Sequence, residues 1–130
     1  MPRVALILLL VLTPTIGPSS AVEPEIASLI LQITPAQQFA PGIVSYRIQI
    51  LPHRDNFWFC MGWDNITTLK SRTSCQQLNG IYSPRVFYQE YKGLAEGCYR
   101  GFVDVYRTPN YRAATATHLF RIGDDPCASL

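Results

Sequence analysis

The sequence predicts an all-β domain with two antiparallel sheets, and three observations lead to this prediction. Apolar and polar residues alternate with a period of two in several segments, as they do in strands that bury one face. The 2 Trp, 7 Tyr and 6 Phe residues favour strands over helices. The 10 prolines break helices and are typical of turns and strand edges.

The first three strands are predicted from alternation and composition. Residues 29–33 alternate between two faces, and Thr34-Pro35 is expected to end this strand. Residues 44–50 have the clearest period of two, which indicates one buried and one solvated face. After a polar turn at residues 52–56, residues 57–63 are apolar on both faces, as expected for a central strand.

The last four strands complete the pattern. Residues 70–78 are predicted to be extended, and residues 73–78 are weakly patterned, so this strand is a candidate for a sheet edge. Residues 86–91, 98–107 and 113–122 follow, and Pro109-Asn110 is the expected turn of the last hairpin. Because about seven short strands occur with no clear helical period, the predicted architecture is a sandwich of two packed sheets.

Residues 1–21 have the three-part layout of a secretory signal peptide. Arg3 supplies a positive charge, residues 4–12 form an unbroken apolar run, and residues 19–21 are small, as at a cleavage site. The apolar run is shorter than the roughly 20 residues that a membrane-spanning helix needs. We therefore expect residues 22–130 to form a single exported domain with no transmembrane segment, located outside the cell, in the periplasm or in the cell envelope.

The four cysteines of the expected mature chain predict two disulfides, since even cysteine counts in small exported domains are typical of disulfide frameworks. The hairpin around residues 64–69 places Cys60 opposite Cys75. The last hairpin brings Cys98 close to the tail that carries Cys127. The spacing lacks the close Cys-x2–4-Cys pairs of zinc sites, so neither a metal nor another cofactor is expected.

Charge argues against a nucleic-acid partner. Without Arg3 the chain has 10 basic and 9 acidic residues, which leaves no strong positive potential. Residues 26–123 are more basic, with 10 basic against 5 acidic side chains. This excess favours anionic partners such as acidic polysaccharide or lipid headgroups. The alternative is ordinary solvating charge, because the basic residues form no run.

Residues 95–101 contain a Gly-x-Tyr sequence at the start of the sixth strand. It resembles the tyrosine-corner region of immunoglobulin-like and fibronectin-III-like sandwiches. The resemblance implies that Tyr99, preceded by Gly97, ties this corner to upstream backbone. Gly101 stands where antibody-type domains place their second core cysteine, and residues 44–50 contain no cysteine. The resemblance is therefore to the broad class, whose members are mostly adhesive, scaffolding or ligand-binding modules.

The aromatic side chains of the third strand are the main candidate contact residues. Phe57, Phe59 and Trp63 share one face and are expected in the core, whereas Trp58 shares the other face with Cys60. An exposed tryptophan stacks on sugar rings or anchors a protein partner, so Trp58 is a candidate ligand contact. The alternative for Trp58 is core packing.

Asn65-Ile66-Thr67 is an N-glycosylation sequon in the expected turn after the third strand. A glycan on Asn65 requires a eukaryotic secretory pathway. The sequence therefore makes Asn65 a possible glycosylation site.

No catalytic motif occurs in the sequence, which predicts a non-enzymatic binding or structural module for a protein, glycan or envelope component. An alternative is a small secreted hydrolase whose carboxylates are brought together by folding. The candidate acids are Asp64, Glu90, Glu96 and Asp104. A third alternative is a secreted inhibitor or effector that presents a rigid loop at residues 52–56 or 108–112.

Overall fold

A computed structural model describes residues 28–124 and Cys127, which form two antiparallel sheets. The strands are β1 (Leu29–Gln37), β2 (Gly42–Ile50), β3 (Trp58–Asn65), β4 (Ser71–Gln77), β5 (Val86–Leu94), β6 (Gly97–Thr108) and β7 (Tyr111–Ile122). One sheet has the order β1-β2-β5 and the other β4-β3-β6-β7. The predicted fold class is confirmed: seven strands in two antiparallel sheets carry two disulfides. The expected signal peptide lies outside the described residues.

Helical structure in the described residues consists of one short 3-10 helix, Gly80–Tyr82, between β4 and β5. None of the helical structure in this part of the chain has the length and apolar character needed to cross a membrane.

The core lies between the inner faces of the two sheets. In β2, every second side chain is buried, as the period of two predicts. Phe59 of β3 packs against Phe87 of β5 with ring centroids 4.7 Å apart, and Tyr46 packs edge-on against Tyr91 at 5.0 Å. The first pair joins the two sheets, and the second lies within the three-stranded sheet; such aromatic pairs add to the stabilisation from apolar burial.

Strand β1 extends beyond its predicted end. Pro35 was expected to terminate it, but β1 continues to Gln37 with an irregularity between these two residues. Because β1 lies at the sheet edge, the missing N–H of proline removes no hydrogen bond that the ladder requires. Strand β5 also runs further than predicted, through Gly93, whose φ of 69° lies in the left-handed region that glycine adopts readily.

Both predicted disulfides are present. Cys60 and Cys75 are direct register partners on β3 and β4, and they are bonded. Cys98 at the start of β6 is bonded to Cys127 beyond β7. Paired cysteines are typical of proteins from oxidising compartments.

A buried hydrogen bond connects the two sheets. The hydroxyl of Tyr46 on β2 donates to the carbonyl of Gly62 on β3 at 2.7 Å. Burial raises the pKa of Tyr46 far above its ordinary value, so the hydroxyl remains a donor. Gly101 leaves room for this arrangement, because a Cβ there would lie 2.6 Å from the Tyr46 hydroxyl oxygen. The Tyr46 hydroxyl therefore takes up space that a side chain at position 101 would fill.

The Gly97-x-Tyr99 motif forms the expected corner. Tyr99 is 1% exposed, and its hydroxyl donates to the carbonyl of Ala95 at 2.6 Å. Its ring stacks on Phe120 with centroids 4.9 Å apart. A Cβ on Gly97 would lie 2.8 Å from the amide atoms of Asn65, so a side chain would crowd this corner.

The substitution Tyr99→Phe is expected to lower the free energy of unfolding by about 1 kcal/mol or more, since it leaves the Ala95 carbonyl without its donor. Thermal denaturation of the purified variant measures this effect. Tyr88→Phe is the matched control, because Tyr88 is 74% exposed. Equal melting temperatures for Tyr99→Phe and the unmodified chain would contradict a stabilising role of the corner hydrogen bond.

Candidate functional site

The outward face of the β4-β3-β6-β7 sheet carries the predicted contact residue. Alternation along β3 buries Phe59 and Met61 and turns Trp58 and Cys60 outward. The same alternation in β6 turns Arg100, Phe102, Asp104 and Tyr106 outward. We call this surface of the four-stranded sheet the outer face.

Phe57, Trp58 and Tyr106 form an aromatic cluster at one end of the outer face. The Trp58 ring lies 5.1 Å from that of Phe57 and 6.2 Å from that of Tyr106, centroid to centroid. Trp58 and Tyr106 are half-buried and Phe57 is 37% exposed. The Nε1 atom of Trp58 is covered and has no hydrogen-bond partner. The cluster combines large apolar area with polar tips, a combination suited to a protein contact.

The predicted placement of Phe57 in the core is wrong, whereas Phe59 is buried as expected. Phe57 precedes the first residue of β3 and is held by its backbone: its N–H donates to Tyr106 and its carbonyl accepts from Leu78. Its side chain therefore lies at the end of the sandwich rather than between the sheets. Trp63 is half-buried and packs against the core, with its ring 5.2 Å from that of Tyr99.

The rest of the outer face carries ion pairs around a shallow depression of about 240 Å³. Arg100 on β6 binds Asp64 on β3, with Nη2 2.5 Å and Nε 3.2 Å from one carboxylate oxygen. Asp104 accepts a hydrogen bond from the Thr115 hydroxyl at 2.5 Å, and Arg112 lies 3.9 Å away. Because such partly exposed pairs contribute little to stability, their main effect is to fix the charge pattern of this surface.

The four candidate acids are not gathered in one place, although Asp64 and Asp104 both line the depression of the outer face. Asp104 lies opposite Cys60, so about four residues of strand, or about 13 Å, separate it from Asp64 along the outer face. Glycosidase carboxyl groups lie only about 5–9.5 Å apart. Glu90 lies on the other sheet and pairs with Lys92 at 3.4 Å, and Glu96 lies beside the turn after β7. Asp64 is held by Arg100, and Asp104 by Thr115, so both acids of the outer face are engaged by neighbouring side chains.

In the part of the chain that the structure describes, no three His, Cys, Asp or Glu side chains come close enough together to hold a metal ion.

Asn65 has a structural role at the end of β3. It is 2% exposed, and its side-chain oxygen accepts hydrogen bonds from the N–H groups of Thr67 and Thr68, both at 2.9 Å. A glycan on its amide nitrogen would have to draw this side chain out of the corner next to Gly97. The geometry therefore favours turn stabilisation over glycosylation as the role of Asn65.

The two candidate loops are both internally constrained. In residues 52–56, the N–H of Asn56 donates to the His53 carbonyl at 3.0 Å and the Asn56 amide donates to Leu51 at 3.2 Å. Residues 108–112 contain only a two-residue turn, because β6 ends at Thr108 and β7 begins at Tyr111.

The alternation of β3 predicts that Trp58 faces away from Phe59, but it does not identify the neighbours of Trp58. Tyr106 and Phe102 occupy alternate positions of β6, so the period of two already grouped them on one side of that strand. What the sequence did not contain was the register that sets Trp58 opposite Tyr106.

Comparison with known proteins gives no match to a protein-family model, to a curated protein or to a solved structure.

Proposed function

We propose that this chain is an exported, non-enzymatic binding module that contacts a protein partner through the outer face. The observation that carries the proposal is the aromatic cluster of Phe57, Trp58 and Tyr106 beside the fixed ion pairs of Arg100 and Arg112. Tryptophan, tyrosine and arginine are the residues most often found at the energetic centres of protein interfaces. A broad sheet face with a shallow depression suits a macromolecule better than a small substrate.

The resemblance to the broad immunoglobulin-like class supports this proposal. Two packed sheets and the hydrogen bond from Tyr99 to Ala95 are features of that class. The strand order differs from that of antibody constant domains, because β4 pairs with β3 rather than joining the sheet of β1, β2 and β5. The resemblance therefore concerns the sandwich architecture and its corner.

Export is the second part of the proposal. It is supported by the signal-peptide layout of residues 1–21 and by the two disulfides, which persist in oxidising compartments. The separation of Asp64 from Asp104 argues against the hydrolase alternative.

Photo-crosslinking tests the proposed face directly. A photoreactive residue at Thr117 on the outer face is expected to crosslink a specific extracellular protein, whereas one at Tyr88, on the opposite sheet, is not. The captured protein is then purified and its affinity measured by biolayer interferometry. Trp58→Ala is expected to weaken binding by roughly tenfold or more, as at interface hot spots.

Tyr88→Ala is the matched control, since it removes an exposed aromatic ring from the other sheet. Tyr106→Ser and the charge reversal Arg112→Glu provide independent variants if Trp58→Ala lowers the melting temperature. Equal affinities for the outer-face variants and Tyr88→Ala would overturn the proposed interface. Hydrolytic turnover of a glycan by the purified chain would overturn the non-enzymatic assignment.

A further inference from the structure

A second surface, separate from the outer face, lies where the two sheets part. The sandwich is closed on one side by contacts between β1 and β7. On the other side, the edges of β4 and β5 leave a cleft of about 280 Å³. Its walls include Trp63, Lys70, Arg72, Tyr91 and Lys92. We call this site the edge cleft.

Two buried hydrogen-bond donors of the edge cleft have no partner. Tyr91 is 3% exposed, and its hydroxyl makes no hydrogen bond in the structure. The Trp63 Nε1–H is likewise covered and unpaired. Buried polar groups are normally satisfied, so two unpaired donors in the same cleft indicate a missing acceptor. Because an indole N–H can only donate, the group that completes Trp63 must be an acceptor.

The state of the Tyr91 hydroxyl agrees with a donor role. Burial raises the pKa of Tyr91, and nearby Ser74 and Arg72 offset part of that shift. The hydroxyl therefore keeps its proton and can donate to a ligand.

Positive charge surrounds these donors. The Arg72 guanidinium lies over the Tyr91 ring, 5.8 Å from its centroid. Neither Arg72 nor Lys70 forms an ion pair with a described residue, whereas Lys92 is paired with Glu90 at 3.4 Å. The described lining of the cleft contains no carboxylate. Arg72 and Lys70 are exposed and have long, flexible side chains, so both can reach a ligand in the cleft.

We propose that the edge cleft binds the sulfate or carboxylate group of an acidic sugar. The oxyanion would accept hydrogen bonds from the Tyr91 hydroxyl and the Trp63 indole and would pair with Arg72 and Lys70. Charge-assisted hydrogen bonds of this kind are stronger than neutral ones. The ring of Trp63 supplies an aromatic wall of the type that sugar rings stack on. This site lies on different residues from the outer face, so it goes beyond the protein contact proposed there.

The two tryptophans make a direct test possible, because each indole N–H gives its own peak in a ¹H–¹⁵N correlation spectrum. Trp58→Phe assigns the two peaks. A heparin-derived tetrasaccharide, glucuronate, inorganic sulfate and inorganic phosphate are titrated separately at constant ionic strength. We expect the tetrasaccharide to shift the Trp63 peak saturably while the Trp58 peak stays fixed.

Matched variants distinguish binding at the edge cleft from nonspecific attraction to positive charge elsewhere on the surface. Arg72→Gln is expected to weaken binding of the tetrasaccharide by roughly tenfold, whereas Arg112→Gln on the outer face leaves it unchanged. Tyr91→Phe is expected to weaken binding without lowering the melting temperature, since its hydroxyl is unpaired in the ligand-free chain. Loss of affinity in Tyr91→Phe with an unchanged fold is the result that a purely structural role for Tyr91 would not give.

Several results would overturn the proposal. One is a Trp63 peak that does not shift, or that shifts equally with sodium chloride. Another is equal weakening by Arg72→Gln and Arg112→Gln. If inorganic sulfate or phosphate binds as tightly as the tetrasaccharide, the cleft is a simple anion site and the sugar assignment is wrong. Binding to phosphatidylserine vesicles in the absence of tetrasaccharide binding would assign the cleft to lipid instead. A Trp58 peak that stays fixed in every titration does not bear on protein binding at the outer face, which the photo-crosslinking experiment tests separately.

Discussion

Reduction of both disulfides is expected to lower the free energy of unfolding by about 6.6 kcal/mol. The Cys60–Cys75 bond closes a loop of 15 residues and the Cys98–Cys127 bond one of 29 residues. In the chain-entropy model such loops contribute about 3 and about 3.6 kcal/mol. The two loops share no residues, so their contributions are expected to add. Because domains are commonly stable by only about 5–15 kcal/mol, reduction should remove a large part of the stability of this one.

Thermal denaturation followed by circular dichroism, with and without a reductant, measures this loss. Mass spectrometry supplies the chemical control, since the unreduced chain should weigh about 4 Da less than the reduced one. Two paired variants, Cys60→Ala with Cys75→Ala and Cys98→Ala with Cys127→Ala, divide the effect between the bonds. The same melting temperature with and without reductant, or free thiols in the native chain, would contradict the expectation.

The substitution Gly101→Ala is expected to cost about 1–3 kcal/mol, because the added methyl overpacks the core. Its Cβ would lie 2.6 Å from the hydroxyl oxygen of Tyr46 and would also press on Ile33. The hydroxyl cannot retreat without weakening its hydrogen bond to Gly62. Thermal denaturation should show the melting temperature falling by roughly 4–8 °C for each kcal/mol lost.

A double-mutant cycle with Tyr46→Phe identifies the cause of the destabilisation. Tyr46→Phe alone removes a buried donor and should destabilise the chain by about 1–3 kcal/mol. In the Gly101→Ala background the same change also relieves the clash, so its cost should be smaller. A coupling of about 0.5 kcal/mol or more is expected. Strictly additive effects would show that the methyl is accommodated elsewhere.

The elements that the sequence predicted well are those governed by local rules. The period of two in β2 follows from one buried face, and the turn at Pro109-Asn110 fixes the register of the last hairpin. Register in turn explains why both disulfides were predicted correctly. The pairing of Cys60 with Cys75 needed only a hairpin folded about its middle.

The features that were missed depend on contacts between distant segments. A proline ends a strand only where the sheet needs a backbone N–H at that position. Whether Pro35 does so depends on whether β1 lies at an edge of the sheet. Phe57 was grouped with Phe59 by alternation, but β3 begins one residue after it. The edge cleft joins Trp63 of one sheet to Tyr91 of the other, so no local pattern could have revealed it.

Strand β4 has a further consequence for local unfolding. Its seven residues are exposed, and it lies at the edge of its sheet, paired with β3. Exposed edge strands fray and exchange their amide hydrogens early. The Cys60–Cys75 bond ties the middle of β4 to the centre of the sheet. The ends of β4 can therefore fray, but the strand stays attached to β3 at Cys75. One wall of the edge cleft is consequently tethered to the central strand.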